Sequence, residues 1–248
     1  MKPEIYNKEY TIGKILSESW KNFKENFRLI LLITLIVYIP IATILAFIPV
    51  DNLIKQQGFL NSLQIYTRIV QILEFLVGII ASMAIAYIIK SKIDGQIVGF
   101  GQALKKSLSK WPAAIGTELI LGIFLLGLTL LLIIPGIIYY VYWTFVLYVV
   151  VLQDKFGKSA LDYSKAIVKD RWWKVAGYSL IFGLLQLIVL ASTYAPLMFF
   201  LPENFFVTII TDLIFDIVAS FFTVVSVIFF INFDSTKKEI ATKTVITS

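Results

Sequence analysis

A chain of 248 residues that is 58% apolar and only 15% charged, with a mean hydropathy of +0.85, carries more apolar surface than one soluble core can hide, because soluble domains run near half apolar and a quarter charged. The excess must face lipid, and a net charge of +6 directs attention to anionic partners. With neither cysteine nor histidine, disulfides, thiolate nucleophiles, Cys- or His-ligated metals and imidazole acid/base chemistry are excluded.

A helix needs about 20 mostly apolar residues to cross the hydrocarbon core. In chain order, such runs are predicted over 29–50, 69–89, 113–134, 137–152, 175–200 and 206–231. The fold class expected is therefore all-α, a single integral membrane domain over 1–248 with six transmembrane helices. The third and fourth runs are separated only by Pro135-Gly136, which predicts a tight hairpin there, since Pro does not continue a helix and Gly permits the turn. Residues 1–28 are too long and, with Glu4, Glu9, Glu18 and Glu25, too acidic for the n-region of a signal peptide. The first span is expected to remain in place.

The basic residues divide sharply between the connecting segments. All but Lys55 and Arg68 of the 22 fall before span one, between spans two and three, between spans four and five, or after span six. The opposite segments carry Asp51 and Glu203. This asymmetry predicts a multi-pass protein of the cell (plasma) membrane with both termini cytoplasmic.

Three of the basic segments also show a helical apolar stripe. In 10–28 it is Ile12, Ile15, Leu16, Trp20, Phe23 and Phe27. In 97–111 it is Ile97, Phe100, Leu104, Leu108 and Trp111. In 156–170 it is Phe156, Ala160, Tyr163 and Ile167. Each segment opens on an apolar residue followed by Gly (Ile12-Gly13, Phe100-Gly101, Phe156-Gly157), and a serine follows six or seven residues later (Ser19, Ser107, Ser164). A threefold repeat of one amphipathic helix plus two spans is predicted. Such helices lie in the headgroup plane when Lys stems snorkel and charges meet anionic lipid; the competing reading is ordinary connecting helices packed on the bundle. The candidate lipid-interface residues are Trp20, Phe23, Lys105, Lys106, Trp111, Lys165, Arg171, Trp172, Trp173 and Lys174.

The run Pro135-Gly136-Ile137-Ile138-Tyr139-Tyr140-Val141-Tyr142-Trp143 carries a family resemblance. It continues through Val149-Val150-Val151-Leu152-Gln153-Asp154, Gly157, Ala160, Leu161 and Ser164 to Arg171-Trp172-Trp173-Lys174, and the N-terminal Ile12–Trp20 stretch matches as well. The chain resembles the membrane domain found beside glycerophosphoryl diester phosphodiesterases, and its free-standing bacterial and archaeal relatives. The resemblance implies a six-helix membrane fold. It does not imply phosphodiesterase activity, which in that family belongs to a separate metal-binding TIM barrel. No strand–helix alternation is left here for such a barrel, so the chain looks like the membrane module standing alone.

Four acids fall inside the predicted spans: Glu74, Glu118, Asp212 and Asp216. Ionisable groups in a span are costly and mark functional candidates. Asp212 and Asp216, four apart on one helix face, are expected to share a proton or hold a cation between them. The four either form a proton or cation relay or hydrogen-bond neighbouring helices as neutral acids. Gln71, Thr117, Gln186, Ser192, Thr193, Thr211, Ser220 and Thr223 supply interhelical hydrogen bonds, and Tyr139, Tyr140, Tyr142 and Trp143 read as an aromatic belt at the outer interface.

No phosphate-binding loop, dinucleotide fingerprint or metalloprotease helix occurs. The chain is not expected to be an enzyme, and no cofactor or metal is expected. Anionic membrane lipid is the expected partner, with a protein partner undefined and nucleic acid excluded by the lack of a recognition helix or aromatic sheet. Three functions follow in order: a non-catalytic module that organises lipid or partner proteins at the cytoplasmic face; a proton- or cation-coupled transporter using Asp212, Asp216 and Glu118; and, third, a membrane enzyme acting on lipid.

Overall fold

The computed structural model describes residues 3–48, 50–200 and 205–246, and every regular element among them is helical. Lys2 and Glu203 of the charge pattern lie outside the described residues, as do the side chains of Asp51, Lys238 and Lys243. Six helical stretches are long and apolar enough to cross a membrane: Phe27–Leu45, Phe59–Ile93, Phe100–Leu131, Ile133–Gln153, Lys158–Leu197 and Ile209–Lys237. The architecture is an all-α membrane fold.

The first segment predicted to be amphipathic is α1 (Ile12–Glu25), capped by the Thr11 side chain, which accepts the Lys14 N–H. It stops at Asn26, whose φ of −109° and ψ of 12° break the helix, while its side chain donates to the Asn22 carbonyl at 2.8 Å. Then α2 (Phe27–Ala46) begins at once. The stretch expected to be an outer loop is instead helical: α3 (Val50–Gln57), Gly58 at φ 79°, and α4 (Phe59–Leu73). Leu60, Leu63 and Ile72 of α4 are exposed apolar residues, so this extra helix extends span two rather than bridging water.

A π-helical turn over Glu74–Gly78 joins α4 to α5 (Ile79–Ile93). Such a turn loosens the backbone ladder, and the Leu76 carbonyl within it accepts the Trp111 indole N–H. The centre of the molecule is α5, where Met83, Ala84, Ile85, Ala86, Ile88 and Ile89 are all buried.

The second amphipathic segment is not a separate helix. α6 runs unbroken over Phe100–Leu131, straight through Pro112. Pro costs one backbone hydrogen bond there, a loss that packing neighbours offset in membrane helices. The turn out of α6 is at Leu132, in extended conformation, and α7 covers Ile133–Tyr142. Pro135 therefore sits in the first turn of α7, where its missing N–H costs nothing. Gly136 serves close packing instead of the turn: a Cβ there would lie 2.4 Å from Thr129 Oγ1 and 3.2 Å from the Thr129 Cα.

Trp143–Phe145 bend the chain into α8 (Val146–Gln153), which is almost wholly buried. Asp154 adopts the left-handed conformation at φ 51°. The third amphipathic segment is α9 (Lys158–Val168), followed by a 3-10 turn, α10 (Trp172–Phe200) and α11 (Phe205–Ile246). α11 packs on α1, α2, α5 and α10, and its Val224–Phe233 stretch is the most densely buried part of the core.

Candidate functional site

One end of the bundle collects all four basic segments. Asn232, fully buried in α11, accepts the Tyr10 N–H at 2.8 Å and donates to the carbonyls of Ile5 at 2.9 Å and Lys8 at 2.8 Å. Arg171 donates to Glu9 at 2.6 Å, Thr236 at 2.9 Å, and the carbonyls of Phe233 at 2.6 Å and Ile167 at 3.0 Å. Its guanidinium also lies 4.6 Å from the centre of the Phe233 ring. Lys174 binds the other Glu9 oxygen. Burial pushes the Glu9 carboxyl up, but hydrogen bonds from Lys174 and Arg171 and their positive charges together hold it below the usual carboxylate range.

The second and third basic segments join the same end. Tyr6 donates to Asp94, which also pairs with Lys90. Lys106 and Lys110 reach Asp154 at 3.1 and 2.6 Å, and these bonds, Lys110 first, draw its pKa down. Asp234 accepts from Gln153 and from Tyr163, each at 2.7 Å. A sixth span predicted to end at 231 leaves Asn232, Asp234 and Thr236 outside the predicted site. The signal was three polar residues directly after a buried apolar run, where a solvated tail has no need of them.

The predicted interface residues divide accordingly. Arg171, Lys174 and Lys106 are engaged in ion pairs within the protein, Phe23 is buried, and Trp111 and Trp172 donate to the backbone carbonyls of Leu76 and Ile138. Lys165 stands over the rings of Tyr139 and Tyr142 at 4.9 and 5.4 Å. That contact corrects the aromatic belt: Tyr139 and Tyr142 lie against the basic third segment, not at an opposite interface. Trp20, Lys105 and Trp173 remain exposed, Trp173 at 84%. The three repeat-position serines, Ser19, Ser107 and Ser164, are each fully buried. Ser19 and Ser107 donate to carbonyls of their own helix, and Ser164 donates to the Tyr142 carbonyl.

Three of the four intramembrane acids come together elsewhere. Glu74, Asp212 and Asp216 line one cavity of about 260 Å³ with Tyr38, Tyr66 and apolar side chains of α2 and α4. Asp216 is about 24 Å along α11 from Asn232, at about 1.5 Å per residue. Glu74 is the first residue of the π turn. At its last residue, Gly78, the position of a Cβ lies 3.2 Å from Tyr38 Oη. Glu118 does not line this cavity. It follows Thr117 of α6, whose hydroxyl accepts the Gly157 N–H at 2.8 Å. Among the described residues, no group of three or more acids has the geometry of a metal site.

A family model described as a domain of unknown function (DUF7847) matches residues 65–233. No curated protein and no solved structure matches the chain.

Proposed function

We propose that this chain, which belongs to the family of the domain of unknown function DUF7847, is a non-catalytic membrane module that gathers anionic lipid, or a partner held at that lipid, against its basic end. One observation carries the reading. Lys21, Lys24, Arg28, Lys105, Lys158 and Lys169 are exposed, and among the described residues none of the six is in an ion pair. They stand in the same segments as Trp20, Leu108, Phe156 and Trp173, which are exposed by 51, 49, 65 and 84%. Cations without an ion-pair partner, Lys24 standing over the Trp20 ring at 5.5 Å, beside exposed aromatic and apolar side chains are what a headgroup layer accommodates. In this reading the basic end is cytoplasmic, in the cell membrane, with both termini there. The threefold repeat and the kinship with the phosphodiesterase-type membrane domain are part of the proposal, the repeat supported by the matching burial of Ser19, Ser107 and Ser164.

The test uses the full-length protein reconstituted with spin-labelled lipids. A larger motionally restricted fraction of phosphatidylglycerol than of phosphatidylcholine is expected, and it should shrink in high salt and when the six cations are changed to Gln. Equal fractions for the two lipids would reject the lipid role.

A second reading has its own observation, the convergence of Glu74, Asp212 and Asp216 on one cavity. It makes the chain a proton- or cation-coupled transporter. Proteoliposomes should then show a pH-dependent flux that Asp216→Asn abolishes; a wild-type flux no greater than that of empty liposomes removes this reading.

A further inference from the structure

A second cavity, of about 250 Å³, opens between α7–α8, α10 and α11. Its lining belongs to helical stretches apolar enough to cross a membrane, yet it contains Thr144, Tyr148, Ser179, Gln186 and Ser226. Serine and threonine in such helices ordinarily satisfy themselves on the carbonyl one turn back. Thr43, Ser192, Thr193 and Ser220 do so here, at 2.7 to 2.8 Å. Tyr148 pairs with Ser226. Thr144 and Ser179 do not follow the rule, and the Gln186 amide has no substitute for it. Among the described residues, the side chains of Thr144, Ser179 and Gln186 have no hydrogen-bond partner.

In water that would mean nothing, because solvent completes the set. Halfway along α10, where Leu180, Leu184 and Leu187 around Gln186 are exposed by 64, 49 and 65%, the surroundings are hydrocarbon. An amide and two hydroxyls left unpaired there cost several kcal/mol in all by order of magnitude. Three unpaired groups aimed at one cavity call for a ligand that donates and accepts in the same place.

We infer that this cavity binds the uncharged, hydroxyl-bearing head of a membrane lipid, of the diacylglycerol or long-chain alcohol type. The absence of any charged side chain from its lining argues against a phosphate head, which would be desolvated there without a cation. A hydroxyl supplies both the donor and the acceptor that an amide and two hydroxyls need. The volume lies just under the range of about 300–1,000 Å³ usual for whole drug-sized ligands, so it takes a head and leaves the chains outside. Gly183 is in the lining and exposed, with nothing within 4 Å of the position of a Cβ, and the exposed leucines of α10 provide the surface along which the chains run. The site is separate from the basic end and does not depend on the role proposed for it.

Full-length protein in phosphatidylcholine nanodiscs, doped with either a diazirine-bearing diacylglycerol or a diazirine-bearing phosphatidylcholine, tests the site by mapping of photo-crosslinked peptides. Diacylglycerol is expected to label the peptide around Gly183–Gln186 in clear excess over phosphatidylcholine. The combined Thr144→Val, Ser179→Ala, Gln186→Leu variant, which suits a membrane span at least as well as the native residues, should lower that labelling roughly threefold to tenfold for each hydrogen bond lost. If that variant fails to fold, Gly183→Leu, which adds a bulky side chain to the lining at a position where a Cβ has room, decides instead and should abolish the excess. Equal labelling by the two lipids, or labelling unchanged in a folded variant, overturns the proposal, as does a cavity occupied by water alone.

Discussion

The side chain of Asn232 holds the backbone of Tyr10, accepting its N–H at 2.8 Å from across almost the whole sequence. The same amide donates to the carbonyls of Ile5 and Lys8, so one buried residue near the end of the core helix ties the N-terminal segment at three backbone points. Asn232→Leu removes all three bonds and leaves the N–H of buried Tyr10 unmatched, while the Ile5 carbonyl keeps the Ser235 hydroxyl. A loss of about 2–4 kcal/mol is expected, read as a fall in thermal midpoint in detergent together with faster proteolysis ahead of α1. Unchanged proteolysis would show that the segment is held by other contacts.

Glu9 sits between Arg171 and Lys174 and is held below the usual carboxylate range. A carboxyl whose pKa is lowered by folding adds stability above its unfolded pKa, and that stability is lost as pH falls through the folded value. Acidification downwards from the ordinary glutamate value of about 4.3 should therefore destabilise the wild type more than Glu9→Gln. Identical acid profiles for the two proteins would contradict this.

Gly136 lets α7 lie against α6 at Thr129. Gly136→Ala forces a shift against backbone as well as the hydroxyl, and about 1–3 kcal/mol of destabilisation is expected. Adding Thr129→Ala should restore part of the loss by removing the hydroxyl while leaving the backbone contact. Thermal denaturation of the two variants checks both statements.

The indole of Trp111 satisfies the Leu76 carbonyl in the π turn beside the acidic cavity. Trp111→Phe keeps the ring and loses the donor, at an expected cost of about 1 kcal/mol. Faster amide exchange over residues 74–78 is expected in that variant; unchanged or slower exchange would show that the donor does not hold this turn together.

Much of this could be read in the sequence because lipid imposes a simple demand. The apolar runs announce the helices, and the basic segments announce which connections assemble together, as Lys106–Asp154 and Arg171–Glu9 show. Particular features could not be read. Pro135-Gly136 looks like a turn in one dimension, but the break comes at Leu132, since Pro is harmless in a first turn and the glycine is required by a neighbour distant in sequence. The stretch between Asp51 and Arg68 looks like a loop because its polar residues interrupt the hydropathy, although Phe59, Leu60 and Leu63 give it a helical apolar face. Glu74, Asp212 and Asp216 were visible as costly residues, but their convergence depends on how α2, α4 and α11 pack. Glu118 has the same cost and no such neighbours. Thr144, Ser179 and Gln186 resemble ordinary interhelical glue until the missing partners are seen.

Because the chain has no cysteine, single substitutions report sidedness without background, and they test the central claim most directly. Lys21→Cys, Lys105→Cys, Lys158→Cys and Lys169→Cys, each tested with a membrane-impermeant maleimide, should react only from the cytoplasmic side, and Lys55→Cys, exposed in α3 outside the spans, only from the opposite side. If the four lysine positions divide between the two sides, or all label from outside the cell, the basic end does not face the inner leaflet and the proposed function fails.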